Sequence, residues 1–279
     1  MGRKKKEAVV ELPKYPRIIL GLDVSTSCIG ISIIEDDGSD NIPKIIAITH
    51  KSPKLPNKIK GIESLFIKKQ LFEEGFLKKI NEYTNKKITD VVIEEPLLSS
   101  NNVWTVTTLL RYNGLIADSV YRTIGIVPSF ISSYDSRTYS FPELISIRKY
   151  NKRGEEYPLD HIRTAIRRNN LTLFGSYPFD VDKKSVMMNM VNNLYTGENA
   201  IPWSYDNNGE LKKENYDACD SLICALAYVN INHHGLAKPT VVDSEMTCVD
   251  GKLVVNYTTS LWGRKFEKKL VLENERALL

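Results

Sequence analysis

The sequence predicts an α/β layer fold with a mixed sheet. Three short apolar strands follow one another between Arg17 and Thr49, too close together for any crossover helix. Beyond them helical and strand patterns alternate, so the order reads β-β-β-α-β-α-β-α. Hydrophobic residues make up 42% of the 279-residue chain, enough to fill a core and too many for a disordered tail.

Residues 1–16 are basic and carry prolines, and read as a flexible lead-in. Ile18 to Val24 is an apolar strand interrupted only by Gly21 and ending on Asp23. Ser25-Thr26-Ser27 turns the chain into a second strand, Ile29 to Ile34. Asp37-Gly38 turns it again into a third, Lys44 to Thr49. Apolar residues from Ile59 to Ile80 recur at helical spacing. Asp90 to Glu94 is a short buried strand stopped by Pro96. A long helix is expected over Val103 to Ile124 and a strand over Ile126 to Ile131. Further helices are expected over Leu159 to Asn170, Lys183 to Tyr195 and Tyr216 to Asn230, the last with Asn215 as N-cap. Thr240 to Val242 and Leu253 to Tyr257 flank Asp250-Gly251 as a hairpin, and the amphipathic run from Trp262 is left unassigned. The expected division is one large domain over 17–235, with an insertion at about 132–178, and a C-terminal extension over 236–279.

Composition removes several classes. The apolar runs fall far short of the ~20 residues that span a bilayer, so no membrane partner is expected. The basic start, Arg3 to Lys6, is not followed by an apolar signal segment. Cys28, Cys219, Cys224 and Cys248 form no C-x-x-C pair, which argues against zinc and for a reducing, cytoplasmic setting. The four histidines make no metal-ligand spacing, and only His161 stands in a basic stretch suited to DNA contact. A net charge of +4 excludes a bulk polycation but leaves room for a local basic groove.

The chemistry is expected in the carboxylates. Asp23 ends the first apolar strand, Glu94 ends the fourth, and Asp217 and Asp220 stand three apart on one face of the last core helix. A buried acid is costly unless it is paired or binds a metal. Four brought together repel one another, and a divalent cation removes that repulsion. Oxygen-only ligands suit Mg²⁺, with Mn²⁺ as substitute, and two such ions about 3.5–4 Å apart would clamp a phosphodiester. Read singly, a strand-end Asp is a turn residue and Asp217 a favourable charge at a helix start. Glu95 is expected to be exposed.

A basic stretch offers the polyanion surface. Arg148, Lys149, Lys152, Arg153, Arg163, Arg167 and Arg168 face three acids within the same 21 residues. Tyr139, Phe141, Tyr150 and Tyr157 are interleaved and could stack on bases, or could be core tyrosines beneath a solvated helix. Arg137 could reach a phosphate as a fork or pair with an acid.

These residues resemble a family. Ile19-Leu20-Gly21-Leu22-Asp23-Val24-Ser25-Thr26 with Gly30 is similar to the first motif of RuvC-type Holliday junction resolvases. Val92-Ile93-Glu94-Glu95 is similar to the second, and Asp217-Ala218-Cys219-Asp220-Ser221-Leu222 to the last. Lys183-Lys184-Ser185-Val186 resembles the basic segment before that last helix. The resemblance implies an RNase H-like fold, a mixed five-stranded sheet flanked by helices, here with a C-terminal β-hairpin extension. It implies a homodimer that resolves four-way junctions or branched DNA with Mg²⁺ held by Asp23, Glu94, Asp217 and Asp220. Lys184, or its neighbour Lys183, would stand at the scissile phosphate. Asp23-Val24-Ser25 replaces the bacterial Asp-Pro-Gly and is closer to phage or virus variants. Leu97 stands where bacterial enzymes carry a base-contacting aromatic, with Trp104 as its substitute. Two other classes compete: an actin- or sugar-kinase-like ATPase, which shares the Gly21-Leu22-Asp23 turn, and a non-catalytic DNA-binding protein of the same fold.

Overall fold

The structure is a computed structural model describing residues 14–55, 59–96 and 102–276. Five strands form the central sheet: β1 Arg17–Val24, β2 Ile29–Asp36, β3 Lys44–Lys51, β4 Asp90–Glu95 and β5 Ser129–Ser132, in the order β3-β2-β1-β4-β5. β1, β2 and β3 run antiparallel, while β4 runs parallel to β1 and β5 to β4. This mixed arrangement is the RNase H-like topology expected from the sequence.

Helices cover both faces, which is why β1 and β2 are nearly continuous apolar runs rather than alternating ones. Ile18, Leu20, Leu22 and Val24 of β1 face one way, into a core with α1 (Gly61–Gly75) and α2 (Val103–Ile124). Ile19 faces the other way with Val92 and Ile34, into a core beneath α3 (Ser133–Ser140), α5 (Lys183–Leu194) and α6 (Glu214–His234). Strand periodicity puts Gly21 and Asp23 on the second face with Ile19, and Glu94 there with Val92.

α6 lies unusually close to the sheet. A Cβ placed on Gly30 would stand 1.8 Å from the Asp217 carbonyl oxygen, and one on Gly21 would stand 2.4 Å from that of Ser221. The helix meets those glycines with small buried residues, Ala218, Ser221 and Ala225. Only hydrogen fits between the two backbones, so the helix height and its rotation are set together.

Two stretches, from Ile145 to Leu173 and from Thr240 onward, build a second lobe. β6 Ile145–Ile147 pairs with β7 Leu171–Leu173, and α4 Leu159–Arg167 lies between them in sequence. β8 Thr240–Val249, β9 Lys252–Leu261 and β10 Arg264–Arg276 form a three-stranded antiparallel sheet. Ile147, Ile162 and Ala165 bury against Val255, Tyr257, Leu270 and Leu272. The insertion and the C-terminal extension therefore share one core. The expected hairpin at Asp250-Gly251 is present, and the unassigned run from Trp262 is its third strand.

Several local expectations change. Asn215 is not the N-cap but lies inside α6, because its amide is spent on the Ser204 backbone and hydroxyl. α3 was not expected: Ser132 caps it by accepting from the Asp135 N–H, and its serine-rich sequence has no helical apolar stripe. Tyr139 and Phe141 are core residues rather than free stacking faces, with Tyr139 stacked on Trp262 at 5.2 Å. Cys219 and Cys224 are buried thiols, as expected of small core residues. No helix among the described residues is long and apolar enough to cross a membrane. The Arg3 to Lys6 run and Leu97 lie outside the described residues.

The close approach predicts opposite outcomes for two glycines. Gly30→Ala must push α6 off β2 and should lower stability by at least about 1–3 kcal/mol. Gly114→Ala, at a site within α2 where a Cβ meets nothing within 4 Å, should raise it by up to ~1 kcal/mol. Denaturant unfolding of the two variants checks both signs.

Candidate active site

The first acid pair is set by strand register. Leu22 pairs with Ile93 across the parallel β1/β4 ladder, so Asp23 and Glu94 are the next neighbours on the α6 face. The second pair is set by the glycine contact. Gly30 is the register partner of Asp23, and the Asp217 backbone rests on Gly30. Asp220, one turn further along α6, is buried. Three chain segments far apart in sequence thus bring the four predicted acids to one end of β1.

The charges of these acids act on one another. Burial pushes the Asp23 carboxyl well above the usual carboxylate range, and the charges of Glu94, Asp220 and Asp217 push it further. Burial, then Asp220, pushes Glu94 up to about 7, against the pull of Arg137 and of the Ser133 and Ser136 hydroxyls. Asp220 is raised by burial, with Arg137 and Lys184 opposing. Glu95, by contrast, is exposed, as expected.

Two cations stand at this locus. Lys184, whose backbone N–H is held by the Asp182 cap, acts on both Asp23 and Asp220. Its Nζ lies 5.7 Å from the Tyr216 ring centroid. Of the two candidate lysines, Lys184 rather than Lys183 is the one whose charge acts on the acids. Arg137, which the sequence left between a phosphate fork and an ion pair, places its Nη2 3.5 Å from Asp220 Oδ1. Nothing in the sequence marked this contact, because the helix that carries Arg137 was itself not visible.

The donor set fits a hard divalent cation. All four acids offer oxygen only, the chemistry of Mg²⁺ or Mn²⁺ rather than zinc. Glu94 Oε2 is a buried acceptor with no hydrogen-bond partner, an arrangement that is costly unless a cation completes it. Among the described residues no three His, Cys, Asp or Glu side chains stand close enough together to hold a metal ion as they are placed. The acids share an electric field without having closed on a single point.

The basic stretch divides. Lys149 is spent on Glu156 at 3.0 Å, with both side chains largely buried. Arg148 lies over the Phe179 ring at 4.5 Å and donates to Thr172, which ties the second lobe to the segment just before α5. Lys152, Arg153, Arg163, Arg167 and Arg168 are exposed, Arg163 with Asp160 at 3.6 Å. His161 is half-buried and stacked on Tyr157 at 3.9 Å, which takes both rings out of easy reach of a base. Trp104 is 72% exposed in the first turn of α2.

The buried acids predict a pH-dependent stability. Glu94 loses its proton near 7 in the fold but near the ordinary 4.5 when unfolded. The folded state therefore holds the extra proton between those values, and stability falls as pH rises through that window. In metal-free protein, Glu94→Gln should raise Tm by several degrees at pH 8 and by little at pH 5. Calorimetry at the two pH values measures the difference.

No family model matches the chain, and no curated protein matches it. Among solved structures, Thermus thermophilus RuvC is similar over 79% of this chain and 98% of its own, at 12% identity and a TM-score of 0.46. T. thermophilus RuvC in complex with Holliday junction substrate is similar over 80% and 98%, at 10% identity and a TM-score of 0.46. An Aquifex aeolicus member of the Ppx/GppA protein family is similar over 92% of this chain and 51% of its own, at 10% identity and a TM-score of 0.31. Likenesses this distant carry no argument; the fold rests on strand order and the site on its side chains.

Proposed function

We propose that the chain is a structure-selective DNA endonuclease that resolves four-way junctions or other branched DNA by two-metal-ion phosphodiester hydrolysis. The observation that carries this reading is that register and the glycine contact bring Asp23, Glu94, Asp217 and Asp220, from two strands and a helix, to one end of β1, with a Glu94 oxygen left unpartnered. A structural role gives no reason to gather four mutually repelling acids at one partly buried end of β1. A non-catalytic fold would have no use for them.

In this reading Asp23, Glu94, Asp217 and Asp220 hold two Mg²⁺, or Mn²⁺ in their place. Bound there, the ions supply an activated water and a counter-charge for the leaving 3′ oxygen. The protein supplies position. Register fixes Asp23 beside Glu94, and the glycine contact fixes the α6 acids against them. Lys184, exposed at the start of α5, takes a non-bridging oxygen of the scissile phosphate and orients it toward the acids. Buried Cys219 and Cys224 lie against these acids and keep bulk water from screening their charges.

The exposed Lys152, Arg153, Arg163, Arg167 and Arg168 take flanking phosphates, and Trp104 offers a ring to an unpaired base. Residues 17–235 then act as the nuclease domain, with 236–279 as an extension that braces the basic arm. Symmetric cutting of a junction needs two active sites, so the reading includes a homodimer.

Cleavage of a mobile four-way junction with Mg²⁺ tests the chemistry. Wild type should cut it in preference to flap, Y-form and linear duplex, and Asp220→Asn should lose at least ~100-fold of the rate. Equal cutting by the two proteins would remove the acids from the mechanism. The arm has its own test. Replacing Arg163, Arg167 and Arg168 together by Gln should weaken junction binding and flatten its dependence on log salt, by about one unit of slope for each phosphate no longer neutralised.

A further inference from the structure

The acid locus holds a fixed cation of its own. Arg137 projects from α3, packed between β4 and α6, and its Nη2 lies 3.5 Å from Asp220 Oδ1. The Arg137 side chain is only 20% exposed and that of Asp220 only 10%, so solvent screens the pair weakly. The Arg137 charge also acts on Glu94, from the side where Ser133 and Ser136 of the same helix reach that acid. Two buried atoms here lack partners, Arg137 Nε and Glu94 Oε2. An arginine with an unused donor beside a glutamate with an unused acceptor is a pair that has not closed. Lys184 is different: it is exposed, lies over the Tyr216 ring, and its charge acts on both Asp23 and Asp220.

We propose that Arg137 is a built-in counter-cation that holds Asp220 and Glu94 in the metal-free protein and competes with a divalent cation for Asp220. It is a positioning residue, and this role rests on the reading of the four acids as metal ligands. The guanidinium cannot lose its proton, so it is a permanent charge that the metal must displace or share. Without it, the exposed Lys184 would be the remaining cation among the described residues whose charge acts on these acids. With it, the metal-free fold tolerates the cluster, and the affinity for the cation is lowered by the same interaction.

The test measures the full chain with Mn²⁺ alone, without DNA, by titration calorimetry. Arg137→Gln should lower the Tm of the metal-free protein and tighten Mn²⁺ binding about tenfold, a change of 1.4 kcal/mol. Arg137→Lys should stay near wild type in both. A residue that only packs α3 would lower Tm with unchanged or weaker Mn²⁺ binding, and that outcome overturns the proposal. Unchanged Mn²⁺ binding with a raised KM for junction DNA would make Arg137 a phosphate contact instead, which also overturns it. A second measurement needs no variant. The Arg137 Nε–H resonance of wild type should move on saturation with Mg²⁺, and a resonance that stays in place overturns the proposal even if Arg137→Gln fails to fold.

Failure of the nuclease reading looks different. A wild type that binds neither Mn²⁺ nor Mg²⁺ and cuts no junction removes the metal site and the competition with it. The pairing itself is then judged by a metal-free double-mutant cycle of Arg137→Gln with Asp220→Asn, where additive losses deny the contact and coupled losses keep it.

Discussion

The near-contact of α6 with β1 and β2 is the constraint on which the rest depends. A side chain at Gly21 or Gly30 would occupy space already filled by the α6 backbone. Most helices ride on a sheet through interleaved side chains, which leaves some freedom to slide. Here backbone meets backbone, so height, rotation and axial position are fixed at once. That precision matters because Asp217 belongs to the same contact and Asp220 follows one turn later. Packing and chemistry are thus one geometric fact: the helix that closes the core also delivers half of the acids.

This arrangement works against stability and is held in place by the cores around it. Asp23 and Glu94 are raised by burial first and by their neighbours second. The opposing groups are local, namely Lys184, Arg137 and the α3 serines. At the far end of the same two strands the polarity is ordinary. Arg17 closes a two-pronged pair on Asp90 at 2.6 and 3.0 Å, braced by Tyr228. That pairing draws the Asp90 carboxyl below the usual range, against its burial. The β1/β4 ladder therefore has a satisfied end and a strained end.

Much of this was legible in the sequence, for reasons that can be named. Strands buried on both faces leave long apolar runs, so β1, β2 and β4 announced themselves, and an acid at the end of such a run stood out. The i, i+3 spacing put Asp217 and Asp220 on one face without any knowledge of the sheet. α3 was hidden because Ser133, Ser136 and Thr138 bury polar side chains where a helix normally buries leucine, and with it went the place of Arg137. The sharing of a core by Ile147 with Tyr257 was hidden because no local pattern records a contact between residues 110 positions apart. The basic stretch read as one patch, yet Lys149 turned inward to Glu156. Charge is visible in a sequence, but its partner is not.

The shared core of the second lobe orders events in time during synthesis. The strand pairings of the five-stranded sheet and the seating of α6 on them need no residue after His234, whereas Tyr139 of α3 still waits for Ala237 and Trp262. The core of the lobe depends on later residues. The Ile147 N–H waits for the Tyr257 hydroxyl, and Ile162 waits for the apolar face of β9 and β10. A nascent chain can therefore close its acid locus while the basic arm still lacks its floor, because long-range pairing is the slow step in folding. The arm cannot complete its core until β9 and β10 have emerged, although all of its basic residues are made before the helix that completes the sheet.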